Sequence, residues 1–219
     1  PASSVFNLAS VSKQFTVFAL MLLVEEGKLS LDDEVHQYLP ELPDYGKRVS
    51  LRQMAGNVSG MRSDLSLLGM AGYSNDDLIM GEMNRRMIYR QQGLNFSPGD
   101  EFGYSNTNFV LLAEVVEKVS GMSFSAFMEQ RVFAPLGMTS TFVMDDYHRL
   151  VPNRVYGYSM QDGNYVNDYL QMTIVGSTGV HTTMQDFARW ALNFRDVKIG
   201  NASIFEQMQT PAKLSNGRD

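Results

Sequence analysis

The chain has 219 residues, 44% of them hydrophobic and 19% charged, with a net charge of −6. That balance suits a globular core, and with no basic cluster it excludes an electrostatic case for binding nucleic acid or an anionic membrane. Cysteine is absent, which excludes disulfides and thiolate metal sites, and His36, His148 and His181 are not paired at metal-site spacing.

The first element read along the chain is a buried helix over Ser12 to Glu26, closed by Gly27. Leu31-Asp32-Asp33 reads as a turn leading into a short helix, and Pro40 and Pro43 mark a loop. A short helix is expected over Val49 to Ala55, ending near Asn57-Val58-Ser59-Gly60. Ser74 is expected to cap a helix from Asn75 to about Arg90, with Asp76 and Asp77 in its first turn. Gly93 to Gly103 reads as a loop. A strongly amphipathic helix follows over Thr107 to Val119, where Phe109, Leu112, Val116 and Val119 recur at helical spacing before Gly121. Ser123 to Phe133 is the next helix, with Pro135 and Gly137 expected to end it. Val151 to Tyr169 reads as irregular loop with short strand pieces around Tyr156-Gly157-Tyr158. Thr183 is placed to cap a last clear helix from Met184 to Phe194, with Asp186 as in a capping box. The segment from Asp196 onward carries no strand signal. Helices dominate, and the 15 methionines are expected to fill gaps in the core.

One Ser-x-x-Lys tetrad occurs, Ser10-Val11-Ser12-Lys13, directly before the apolar stretch Phe15 to Val24. Residues three apart share a helix face, with Cβ atoms roughly 5–6 Å apart, so the Lys13 amine can reach the Ser10 hydroxyl. A serine hydroxyl needs a base to become nucleophilic, and burial lowers a lysine from its free pKa of about 10.4 toward that role. The free N–H groups at a helix N-terminus suit a developing oxyanion. The same residues also fit a plain Ser N-cap followed by a solvated lysine.

A second pattern, Tyr-x-Asn, occurs at Tyr73-Ser74-Asn75, Tyr104-Ser105-Asn106 and Tyr165-Val166-Asn167. Only Tyr104-Ser105-Asn106 immediately precedes the amphipathic helix. Tyr104 reads either as a site phenol or as a loop aromatic packed on the core, and Asn106 as a ligand, a helix cap or both.

With these stretches in place the chain resembles the serine β-lactamase and penicillin-binding-protein superfamily, on the side of the class C β-lactamases and related esterases and D-amino-acid peptidases. The resemblance rests on Leu8 to Thr16, Glu25 to Leu29, Tyr104 to Asn108, Pro135 to Met138 and Gly179 to Ala188, in the right order. It implies an α/β (α+β) β-lactamase/transpeptidase-like fold, of which residues 1–219 would be mostly the helical part of one domain. It implies Ser10 as acylated nucleophile and Lys13 as the group that orients Ser10 and helps take its proton. Tyr104 becomes the proton shuttle, base toward Ser10 and acid toward the leaving group. Asn106 becomes the ligand of Lys13 and of the substrate carbonyl.

The implied substrate is a small molecule or peptide: an ester, a β-lactam or a D-amino-acid peptide. No cofactor is implied, and the implied location is periplasmic or secreted. The oligomeric state is left open. The alternative is a penicillin-recognising binding or sensor module that is acylated slowly or not at all.

Two departures accompany the resemblance. Asn57-Val58-Ser59-Gly60 stands where many relatives carry His-Thr-Ser-Gly, which is expected to alter the support of the pocket rather than the chemistry. The third family motif, a basic or His residue followed by a small residue and Gly on a strand, does not occur after the late helix. Ser177-Thr178-Gly179 resembles it superficially and reads as a loop. On this reading the family's outer strands and one oxyanion donor are missing, and weak activity is expected. The chain opens at Pro1 rather than Met, so a preceding segment is expected, although no signal-peptide pattern appears. No apolar run reaches the ~18–20 residues of a membrane span.

Overall fold

The computed structural model describes residues 1–74, 77–169 and 171–218. Its centre is the helix α1, Lys13–Glu25, entered through a 3-10 turn at Ala9–Ser12. Phe15, Phe18, Ala19, Leu20 and Leu23 on α1 are completely buried, so the helix is apolar nearly all round and lies inside the fold. Gly27, at φ +68°, takes the left-handed turn that stops it.

Four short helices or turns follow. Val35–Gln37 forms one 3-10 turn, and α2 spans Leu51–Ala55, started by a capping box between Ser50 and Gln53. Next come α3, Asp64–Met70, and α4, Gly81–Ile88. The long helix α5, Asn106–Ser120, packs along α1, buries Leu111, Leu112, Val115 and Val116 completely, and ends on Gly121 in the left-handed region.

The chain then forms α6 (Phe124–Met128), a π-turn at Glu129–Phe133 and α7 (Ala134–Leu136). Near the end, α8 (Met184–Asn193) and α9 (Ala202–Gln209) close an aromatic cluster over α1. Trp190 lies 4.4 Å from Phe15 between ring centroids, and Phe205 stacks 5.5 Å from Phe18. The Trp190 Nε1–H finds its polar partner in Gln14 Oε1 at 2.7 Å, as a buried indole requires. Met21, Met54, Met128 and Met138 fill this core, while Met70, Met160 and Met184 are exposed.

The strands are short. β1 is Phe6–Asn7, β2 Phe142–Val143, β3 Tyr158–Gln161, β4 Asn164–Asn167 and β5 Val180–Thr182. β5 is the middle strand, antiparallel to β1 with Phe6 opposite Thr182 and to β2 with Phe142 opposite His181. β1 leads straight into the turn that carries Ser10, so this small sheet anchors the start of α1.

Several expectations need correction. The helix expected from Asn75 begins only at Gly81; the expected start at Asn75 and Asp76 lies outside the described residues. Ser74 gives both its N–H and its hydroxyl to Asp77 Oδ2, and Ile79 N–H donates to Gln171 O at 2.8 Å. Pro135 does not end its helix. The wide π-turn before it lets Pro135 sit in the first turn of α7, where its missing N–H costs nothing, and Gly137 makes the stop. The stretch from Val151 to Tyr169, expected as irregular loop with strand pieces around Tyr156-Gly157-Tyr158, holds a β3–β4 hairpin that starts at Tyr158 and closes at Asp162-Gly163 with φ +50° and +80°. α3 and α9 were not expected. α9 is capped by Asn201, whose Oδ1 accepts from Ile204 N–H at 3.0 Å.

Candidate active site

The segment before α1 is held at several points. Leu8 N–H donates to Val180 O at 2.9 Å, and Val180 N–H donates to Ser12 Oγ at 3.1 Å. Between them Ala9 stands at φ +45°, a left-handed conformation that costs an L-residue roughly 1–2 kcal/mol. Asn7 Oδ1 holds the Ala9 N–H at 2.8 Å. The surrounding bonds thus impose the strain that presents Ser10 at the surface.

Lys13 opens α1 and is only 8% exposed. Its Nζ donates to Ser10 Oγ at 3.0 Å and to the carbonyl of Ser177 at 2.8 Å. Burial holds the amine below the usual lysine range, while the nearby Tyr104 oxygen and the Asp64 carboxyl pull the other way. The ring of Phe109 lies 5.4 Å from Nζ and adds to the apolar surroundings.

Tyr104 comes from the loop before α5. Its hydroxyl donates to Ser10 Oγ at 2.7 Å, and its ring lies 4.9 Å from Lys13 Nζ. One serine oxygen therefore receives both the amine and the phenol. Of the three Tyr-x-Asn tyrosines, only Tyr104 bonds Ser10 among the described residues; Tyr165 stands on β4, 76% exposed.

Asn57 secures this loop. It takes φ +57°, which Asn tolerates. Its Oδ1 accepts from Ser105 N–H at 3.1 Å and from Asn108 Nδ2 at 3.2 Å, and its carbonyl accepts from Gly103 N–H at 2.9 Å. Ser59 adds a bond to Asn108 Oδ1 at 2.6 Å. The Asn57 to Gly60 stretch thus props up the residues on either side of Tyr104.

Asn106 is buried as the first residue of α5, and its N–H donates to Ser63 Oγ at 3.3 Å. It does not cap the helix; Ser105 holds that position. Among the described residues Lys13 bonds Ser10 and Ser177 rather than Asn106. The Ser177 carbonyl replaces the expected amide, and nothing in a side-chain pattern announces a backbone oxygen.

The loop bearing Ser177 is fixed to α1, since Thr16 Oγ1 donates to Gly176 O at 2.7 Å. Behind Lys13 lies an apolar cavity of about 500 Å³, walled by Val17, Met21, Val58, Phe109 and Met208. Among the described residues no group of three or more His, Asp or Glu side chains is arranged to hold a metal ion. No helix among them is long and apolar enough to cross a membrane.

The family profile described as Beta-lactamase matches residues 1–217. Penicillin-binding protein 4* of Bacillus subtilis (strain 168) is 34% identical over 236 residues, covering 98% of this chain and 50% of that protein. A D-aminopeptidase of Brucella anthropi is 26% identical over 214 residues, covering 96% of this chain and 40% of its own length. The octameric penicillin-binding protein homologue from Pyrococcus abyssi superposes with a TM-score of 0.82 at 28% identity, over 94% of this chain and 49% of that one. The chain thus spans about half the length of these relatives.

Proposed function

This chain belongs to the Beta-lactamase family, has its β-lactamase/transpeptidase-like fold, and from that premise we propose that it acts as a serine hydrolase through an acyl-Ser10 intermediate. The observation that carries the reading is the meeting of Lys13 Nζ and Tyr104 Oη on Ser10 Oγ, at 3.0 and 2.7 Å.

Burial keeps Lys13 easier to deprotonate than a free lysine. As an amine it takes the Ser10 proton while Oγ bonds to the substrate carbonyl carbon. Tyr104, touching both Lys13 and Ser10, passes that proton to the leaving nitrogen or oxygen as the carbonyl–leaving-group bond breaks. Water then attacks the ester on Ser10, gives its proton to the same pair, and frees the acid and the serine. Asn106, buried beside the tyrosine loop, is proposed to meet the substrate carbonyl.

The proposed substrates are amides, esters or β-lactams of D-amino-acid character. The names of the Bacillus and Brucella relatives, a penicillin-binding protein and a D-aminopeptidase, support that choice. The same reading places the protein in the periplasm or outside the cell, where the absence of cysteine leaves no thiol to oxidise.

Paired D- and L-amino-acid p-nitroanilides, with a chromogenic cephalosporin beside them, test the substrate class. Release of nitroaniline from the D-series alone is the expected result. Equal cleavage of both series, or none of either with the cephalosporin also untouched, contradicts it. Stable labelling by penicillin without turnover of any substrate would instead establish a sensor.

A further inference from the structure

His181, the middle residue of β5, is buried and takes no part in the steps above. Its Nδ1 lies 3.1 Å from the carbonyl oxygen of Gly179. A carbonyl oxygen only accepts, so the proton of the neutral ring is on Nδ1. That leaves Nε2 a bare acceptor, buried and without a hydrogen-bond partner among the described residues. The ring is stacked on Phe142 of β2, 5.4 Å between centroids and 10° from parallel.

The strand it occupies holds the nucleophile segment. β5 lies between β1 and β2, with Asn7 and Phe142 opposite His181. Val180, the residue before it, accepts from Leu8 N–H at 2.9 Å and donates to Ser12 Oγ at 3.1 Å. Asn7 Oδ1 fixes the Ala9 N–H at 2.8 Å, so Ser10 lies between bonds that depend on this strand pair. A second proton on His181 would place a buried N–H cation where nothing accepts it. The residues opposite it, Asn7 and Phe142, carry no charge. The charged groups that bear on the ring are Arg149, whose guanidinium lies 3.7 Å from the same Phe142 ring, and Arg154, which pairs with Val5 just ahead of β1; both are cations. Asp186, the buried carboxylate at the start of α8, is committed to Ser140, Thr141 and Arg189. Burial first, and then the two arginines, hold the imidazole below the usual histidine range, with the Gly179 carbonyl pulling the other way.

We propose that His181 is a pH-sensitive latch: neutral, it lets β5 close on β1 and hold Ser10 beside Lys13 and Tyr104; protonated, it releases β5 from β1 and the serine turn loosens. When the strand opens to water, the ring takes one proton at Nε2; when the strand closes, that proton returns to solvent. The closed strand has its full stability above about pH 6.5, the ordinary histidine value that the released ring regains. It loses that stability as pH falls from there toward the lower pKa of the closed form. The effect of the latch on acylation rests on the acyl-serine reading; the opening of the strand does not.

Amide hydrogen exchange, read by NMR and normalised to the intrinsic rate at each pH, tests the latch without any substrate. From about pH 7.5 to about pH 5 the protection of the Leu8 and Val180 amides should fall about 10–30-fold, a limit set by a released pKa near 6.5, while amides inside α5 keep theirs. His181→Phe keeps a ring against Phe142 and cannot take a proton; His181→Gln cannot take one either. In both variants the protection of Leu8 and Val180 should be the same at the two pH values. Labelling of Ser10 by a fluorophosphonate should fall more steeply with acid in the unaltered protein than in either variant, since Lys13 and Tyr104 are common to all three. Protection of Leu8 and Val180 that is unchanged between the two pH values in the unaltered protein overturns the proposal, and so does an equal fall in a folded variant. Absence of labelling in the unaltered protein would count against the acyl-serine reading alone, since the exchange is read independently.

Discussion

The Tyr104 hydroxyl donates to Ser10 Oγ at 2.7 Å across 94 residues of sequence. That bond joins the loop before α5 to the turn before α1, whose two helices pack against each other. Tyr104→Phe keeps the ring and removes the proton carrier. Acylation of Ser10 should fall by about 10²–10⁴-fold with little change in thermal stability. A drop below tenfold in stopped-flow labelling would argue against a proton-transfer role.

Lys13 supplies a pH dependence whose sign follows from its burial. The amine form is the active one, so acylation rises as pH increases through the Lys13 pKa. That pKa is lowered from 10.5, so the rise should be complete below the range of a free lysine. Stability moves the same way. The unfolded chain holds its proton up to about 10.5, so the penalty from Lys13 is fully present below the folded pKa and is relieved as pH climbs toward 10.5. Labelling rates from pH 6 to 11 check the first point. A rate still climbing at the top of that range contradicts it.

Asn57 holds the tyrosine loop by hydrogen bonds and by an unusual backbone angle, and two substitutions separate these. Asn57→Gly accepts φ +57° but loses the bonds to Ser105 and Asn108. Asn57→Ala loses both advantages. The glycine variant should lose about 1–3 kcal/mol of stability, and the alanine variant roughly 1–2 kcal/mol more. Both should acylate more slowly, because Tyr104 is less firmly placed. Urea denaturation checks the order; alanine no worse than glycine would contradict it.

Gly176 lies where a side chain has no room. A Cβ there would sit 2.2 Å from Phe109 O and 2.7 Å from the Ala113 Cβ, at φ +86°. Gly176→Ala should cost roughly 2–4 kcal/mol and displace the Ser177 carbonyl from Lys13. Loss of acylation beyond the loss of folded protein, measured at a temperature where the variant is folded, is the expected outcome. Unchanged acylation would mean that the carbonyl does not orient the amine.

What the sequence made legible follows physical range. The apolar run after Lys13 and the spacing of Phe109, Leu112 and Val116 come from local periodicity, and α1 and α5 appear where that periodicity puts them. Ser10 and Lys13 are neighbours on one turn, so their contact follows from helix geometry. Tyr104 was separable from Tyr73 and Tyr165 only by the helix that follows it. The Ser177 carbonyl, the left-handed Asn57 and the hydrogen bond from Asn84 to Asp64 were not legible. The first is backbone, the second depends on a tertiary clamp, and the third links two helices that do not adjoin in sequence. β1, β2 and β5 have two or three residues each, too few to show alternation. Ser74 shows the opposite failure: a residue suited to capping stands well ahead of α4, which begins only at Gly81.

Tandem mass spectrometry of the protein after treatment with a fluorophosphonate locates the nucleophile directly. A single adduct on Ser10, absent in Ser10→Ala and formed far more slowly in Lys13→Ala, is the result expected of an amine and a phenol converging on that oxygen. An adduct that persists in Ser10→Ala, or one on a different residue of the unaltered protein, would contradict the assignment.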